Sequence, residues 1–191
     1  MSRYIYAITL ALLITINQYA FSGECATGTA PSAGCTVGVD DTTYTMTGNI
    51  APASGAEGIE FEVNSDRNIV SLTGNITTTG ATAYGYYLSQ SDSNTNTIIG
   101  NISTDSAASY GIHFNMSHLN TSTVTGNIST EGAAANGLFI SGSDNNIFTV
   151  NGNISTEGSS ARGIYLSSAE NNVFTMNGNI STSGSSSHGF H

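Results

Sequence analysis

The chain has 191 residues, with 13 acidic side chains, three basic ones and a formal net charge of −10. The basic residues are Arg3, Arg67 and Arg162, and lysine is absent. Nucleic-acid binding depends on phosphate neutralisation by Lys and Arg, so a nucleic-acid partner is excluded, and anionic membrane surfaces are disfavoured for the same reason.

Arg3 leads into an apolar run from Tyr4 to Ile16. That run has the length of a secretory hydrophobic region and is too short to span a bilayer. Small residues at Ala20, Ser22 and Gly23 suit signal-peptidase cleavage after Ala20 or Ser22. Residues 1–22 are therefore expected to be a signal peptide and the protein to be exported, in preference to an N-terminal anchor. The chain beyond them keeps two basic and 13 acidic residues, a net charge of −11.

Cys25 and Cys35 follow, ten residues apart. In an exported chain they most simply form one disulfide, which would stabilise by ~2–3 kcal/mol through loop closure. Residues 23–43 are expected to form an N-terminal cap over the open edge of the first coil.

From residue 44 the chain is periodic. Gly-Asn-Ile recurs at Gly48, Gly74, Gly100, Gly126, Gly152 and Gly178, each time after 26 residues. A fixed period of this size indicates a stack of equivalent coils rather than a globule around one core. Before each copy the residues alternate, with Phe148, Val150 and Ile154 on one parity and Thr149, Asn151 and Asn153 on the other. This is the pattern of a half-buried strand. The motif glycine is expected on the inward side, where the strand bends.

A second strand follows each turn, as in Gly85-Tyr86-Tyr87-Leu88 and Gly111-Ile112-His113-Phe114. Its first copy, Gly58-Ile59-Glu60-Phe61, arrives one residue early, so the slack must lie in the turns. The next corner carries Asn68, Asn94, Asn120, Asn146 and Asn172. Asparagine tolerates left-handed backbone, and stacked copies can form an amide ladder. Successive coils return in the same direction, so their strands must pair in parallel. The fold class is all-β, a parallel β-helix over residues 44–191 whose last coil is incomplete.

Three outward columns could carry function. Tyr87, His113, Phe139, Tyr165 and His191, with Glu60 before them, form an aromatic stripe able to contact a glycan or a protein. Simple stabilisation of neighbouring parallel strands is the favoured reading of that stripe. Asp66, Asp92, His118, Asp144 and Glu170 form a mostly acidic column. Turn-capping acids explain it better than calcium, because the calcium repeat motif is missing. Thr45, Ser71, Thr97, Thr123, Thr149 and Thr175 form a hydroxyl column. It suggests ice binding only distantly, since ordinary strand propensity accounts for it. The Asn-Ile-Thr and Asn-Ile-Ser sequons read as by-products of the repeat.

No nucleophile elbow, zinc-protease motif or cluster of acids with arginine interrupts the period. The expectation is a non-enzyme without metal or cofactor. A polysaccharide-degrading β-helix enzyme is the alternative, on fold analogy alone.

The export signal, Asn-Ile-rich repeats, scarcity of basic residues and abundance of Gly, Ser, Thr and Asn together resemble the passenger regions of bacterial autotransporters. The resemblance covers residues 44–191 and implies an adhesin or spacer at the cell surface or in the medium, facing a host or cell-surface glycan or protein. Such passengers are followed by a membrane β-barrel. None follows here, so the sequence is expected to be truncated and membrane attachment to depend on that missing barrel.

Overall fold

The computed structural model describes residues 23–191, and the expected signal peptide lies outside the described residues. Those residues form a coil of strands in three parallel sheets, with no helix among them. The expected parallel β-helix with its 26-residue coil is therefore the observed fold.

The threonine sheet is built from Gly28–Thr29, Thr43–Thr47, Ile69–Thr73, Thr95–Ile99, Thr121–Thr125, Ile147–Asn151 and Val173–Met176. The chain then bends at Gly-Asn into the short sheet, formed by Ile76–Thr78, Ile102–Thr104, Ile128–Thr130, Ile154–Thr156 and Ile180–Thr182. After a longer turn it enters the aromatic sheet. That sheet contains Gly23–Glu24, Cys35–Val37, Ile59–Phe61, Tyr86–Ser89, Ile112–Asn115, Leu138–Ser141, Arg162–Ser167 and His188–Phe190.

Register is strict because alternation leaves only one parity to bury. Val124 pairs with Ile98 and Val150, and Ile128 pairs with Ile102 and Ile154. The early strand is also in place: Ile59 pairs with Tyr86 and Phe61 with Leu88, one residue off the common interval. The turn before Gly58 is one residue short, and the stretch from Phe61 to Asn68 is one residue long. A strand could not absorb that slip without turning its core residues outward.

The core is a column of apolar rungs, with Ile50, Ile76, Ile102, Ile128 and Ile154 all fully buried. Phe61 and Tyr86 pack edge to face, as do Phe114 and Phe148. Polar exceptions are few. Asn96 and Ser122 occupy inward positions of the threonine sheet and meet each other, Asn96 Nδ2 donating to Ser122 Oγ at 3.3 Å. Thr78, Thr104 and Thr130 end the short strands facing inward, and each hydroxyl donates to a turn carbonyl five residues on, at Ala83, Ser109 and Ala135. The hydroxyl thereby closes the turn from inside.

At the N-terminal end Cys25 and Cys35 form the expected disulfide, with their Cα atoms 4.8 Å apart. Residues Gly23–Glu24 and Gly28–Thr29 pair onto Cys35–Val37 and Thr43–Thr47, so this segment extends two of the sheets.

The motif glycine departs from its expected position. It does not point inward, and Gly100 and Gly126 are half-buried at the corner with φ of 154° and 149°. A Cβ on Gly126 would fall on the carbonyl oxygen of Gly100, one coil below. The missing side chain therefore permits close stacking along the axis. The inward glycines are the second set: a Cβ on Gly111 would collide with the Ile128 Cγ2 methyl of the next coil.

Candidate functional site

The outward columns that recur coil after coil define the candidate site. Three of them are ladders in which one coil contacts the next.

The corner asparagines form the buried ladder expected of them. The Asn94 N–H donates to Asn120 Oδ1 at 2.8 Å, and the Asn120 N–H donates to Asn146 Oδ1 at 2.9 Å. Their amide nitrogens point back down the stack: Asn94 to the Ser65 carbonyl, Asn120 to Ser91, Asn146 to Ser117 and Asn172 to Ser143. Asn68 completes the series, its N–H donating to Asn94 Oδ1 while its own Oδ1 accepts from the Thr42 N–H. The left-handed residue is not the asparagine, as expected, but its predecessor: Arg67, Ser93, Leu119, Asn145 and Asn171 have φ between 54° and 59°. That twist turns the asparagine side chain along the axis toward its neighbours.

Sequence reasoning missed a second ladder. The motif asparagines accept backbone N–H groups from the coil above, Asn75 N–H to Asn49 Oδ1 and Asn101 N–H to Asn75 Oδ1, continuing through Asn179 to Asn153. Its strict 26-residue recurrence was the available signal. This ladder is exposed.

The acidic column also caps turns. The Asp92 N–H donates to Asp66 Oδ1, the His118 N–H to Asp92 Oδ1 and the Glu170 N–H to Asp144 Oδ1, each at 2.7 Å. His118 fits because its Nδ1 accepts from the Asp144 N–H at 3.0 Å. A short side chain with an acceptor atom is all the position requires. At the foot of the column Arg67 bridges Asp41 and Asp40 at 2.7 and 3.2 Å on the exposed surface. The guanidinium holds the Asp41 carboxyl below its ordinary range, chiefly through the hydrogen bond.

The aromatic stripe forms a continuous stack. Tyr87 to His113, His113 to Phe139 and Phe139 to Tyr165 have centroids 5.0, 4.9 and 5.0 Å apart and nearly parallel rings. Sequence reasoning missed a flanking lane in the preceding turn, where Tyr84 and Tyr110 stack at 5.2 Å and meet the main lane edge-on. Arg162 continues the flank and sits over the Tyr165 ring at 4.2 Å. The ring faces contact one another, which leaves edges and hydroxyls to solvent. Below Tyr84 and Tyr87 the same two lanes end in Glu57 and Glu60. Both carboxyls are pushed up by burial, Glu60 further by the charges of Glu57 and Glu62.

His113 is buried in this stack, and neither ring nitrogen has a hydrogen-bond partner. Burial pulls its pKa down to about 4. The unfolded chain binds its proton near the ordinary value of 6.5, so the stabilising contribution is complete above that pH and is lost as pH falls toward 4. The loss integrates to about 3 kcal/mol. Glu57 and Glu60 act in the opposite sense, stabilising below the ordinary carboxyl range and less as pH rises through their raised values. Denaturant unfolding between pH 7 and 4 should therefore show a slope that His113→Phe removes; identical slopes in the two proteins would reject this source of acid sensitivity.

The fold and these ladders define a parallel β-helix protein with repeat-spanning polar columns. The profile of the family described as "Periplasmic copper-binding protein (NosD)" matches residues 22–191, and the chain belongs to that family. No curated protein and no solved structure matches it.

Copper in that description can be tested against the donors present. Among the described residues no three His, Cys, Asp or Glu side chains converge as metal ligands. Both cysteines are in the disulfide, His113 is enclosed by rings and His118 Nδ1 is occupied by an N–H. His188 and His191 lie ring over ring at 5.6 Å, and no third ligand joins these two. Copper sites need several convergent imidazole or sulfur donors. The described residues do not fit one.

Proposed function

We propose that this protein is a non-catalytic exported scaffold, an adhesin or spacer in the manner of autotransporter passengers. Its contact face is the aromatic sheet, and its partner is a cell-surface glycan or protein. One observation carries the reading: the corner, acidic and aromatic columns are engaged coil to coil, and among the described residues the break in register at Ile59 is a single residue absorbed in turns. Such a surface offers a long repetitive face, which suits extended contact better than the sequestering of a reaction. Along the aromatic lanes, ring edges and the Tyr84, Tyr87, Tyr110 and Tyr165 side chains, all only half-buried, supply contact area with hydroxyls attached.

The test is binding of the mature chain to a glycan array and to intact cells. Replacing Tyr87, Phe139 and Tyr165 by Ser should weaken binding roughly tenfold or more. Circular dichroism must first show the variant folded, and Tyr165→Phe, which removes only a hydroxyl, serves as the milder probe. Unchanged binding in both variants would remove the aromatic face from the reading. Turnover of any polysaccharide in a panel would overturn its non-catalytic part.

A further inference from the structure

A different face carries a separate inference. On the threonine sheet the outward residues of four consecutive coils are Thr43, Thr45 and Thr47; Ile69, Ser71 and Thr73; Thr95, Thr97 and Ile99; and Thr121, Thr123 and Thr125. Every position in this block of three columns is Thr, Ser or Ile. The pairing is in register throughout, Thr45 with Ser71, Ser71 with Thr97 and Thr97 with Thr123. Two further coils continue it with Ile147, Thr149 and Asn151 and with Val173, Thr175 and Asn177, so asparagine enters only the third column at that end. All these side chains are exposed or half-exposed.

Two properties separate this face from the aromatic sheet and the acidic corner, and three columns of width separate it from the short sheet, which presents a single outward column. It carries no charge, although the chain beyond residue 22 has 13 acids and two arginines. Its central hydroxyls are also uncommitted: among the described residues, those of Thr95, Thr97, Thr121 and Thr123 make no internal hydrogen bond, Thr125 at the edge accepts from Asn151 Nδ2 at 3.5 Å, and the inward Thr78, Thr104 and Thr130 are all bonded. Strand propensity alone explains threonine here, but not the exclusion of every Lys, Arg, Asp and Glu from one face of an acidic protein.

The spacing is fixed by the fold. Alternate residues on a strand lie ~6.7 Å apart and neighbouring strands ~4.8 Å apart, giving a rectangular grid of hydroxyls and methyls. Those repeats approach the oxygen repeats on the prism faces of hexagonal ice. An uncharged, periodic surface has as its complement an uncharged, periodic lattice, since a charged partner would leave its charges unpaired against it.

We propose that the outward face of the threonine sheet, centred on Thr97 and Thr123, binds ice. Methyl groups hold the first water layer in place while the hydroxyls donate to and accept from it, so that this layer joins the lattice. This binding is independent of the aromatic face and does not rest on the function proposed above.

The experiment uses the mature chain in ice-affinity partitioning, with ice recrystallisation as a second readout. The protein is expected to enter slowly growing ice and to restrain recrystallisation. Thr97→Lys and Thr123→Lys, both outward, should each lower partition roughly tenfold, as an unpaired charge at an interface would. Ser129→Lys on the short sheet should leave partition unchanged, and circular dichroism with thermal melting verifies that each variant is folded. Exclusion of the wild-type protein from ice overturns the proposal, and so does equal partition of folded Thr123→Lys. Retention on microcrystalline cellulose without entry into ice assigns the face to a polysaccharide lattice and equally overturns it.

Discussion

Gly126→Ala is expected to lower the thermal midpoint by about 10 °C. The added methyl falls on the Gly100 carbonyl, and its nearest neighbours are backbone atoms, namely Gly100 C and Asn101 N. No rotamer change relieves that contact. Relief requires the two coils to move apart, which lengthens bonds between them such as Gly100 N–H to the Thr125 carbonyl and Asn127 N–H to Asn101 Oδ1. Overpacking of this kind costs ~1–3 kcal/mol, and a φ of 149° adds a backbone penalty of similar size for a residue bearing Cβ. The site lies mid-stack, so loss of one interface also uncouples the halves on either side.

Gly142→Ala is the matched control. Its φ of 55° is left-handed, but the only neighbour of an added Cβ is the flexible Met116 side chain at 3.4 Å. Melting followed by circular dichroism should show the first variant broadened and strongly shifted, and the second shifted by only a few degrees. Equal shifts would mean that backbone conformation, not the coil-to-coil contact, sets the requirement for glycine.

Asn120→Ala should cost about 4 kcal/mol, because each rung of the buried ladder serves three partners. The substitution strands the Asn94 N–H and the Ser91 carbonyl, both inside the corner, and removes the link to Asn146 Oδ1 at 3.2 Å. Asn120 is fully buried, so water cannot readily take its place. Asn127→Ala removes the Oδ1 that accepts from the Asn153 N–H in the exposed ladder. Solvent replaces that bond, and the expected cost is under about 1 kcal/mol. Denaturant titration of both variants provides the comparison. A cost at Asn127 equal to that at Asn120 would show that burial is not what gives the corner ladder its value.

The same contrast explains which features could be read in advance. Parity and period were both visible in the chain: Phe148, Val150 and Ile154 alternate with polar residues, and Gly-Asn-Ile returns at a constant interval. Only a stack of parallel coils satisfies both, so the fold and register were legible, including the early strand at Ile59. The corner asparagines were legible for the same reason. What one coil's residue does to the next was much less so. The left-handed residue proved to be the variable neighbour, as at Arg67 and Leu119, since stacking and the asparagine ladder select that conformation without fixing an amino-acid type. The Tyr84 and Tyr110 lane was hidden because it lies in a turn whose other copies are Asn136 and Arg162.

By itself, the sequence determined the repeat, the inward face, the paired cysteines and an acidic, lysine-free surface, because these are set by residue type and spacing along one chain. Only the tertiary structure decided where each outward side chain spends its hydrogen bonds. Stacking at one strand spacing turned asparagines, acids and rings into closed ladders. It left the hydroxyls of one uncharged sheet free, and that difference depends on the neighbouring coil rather than on any local sequence.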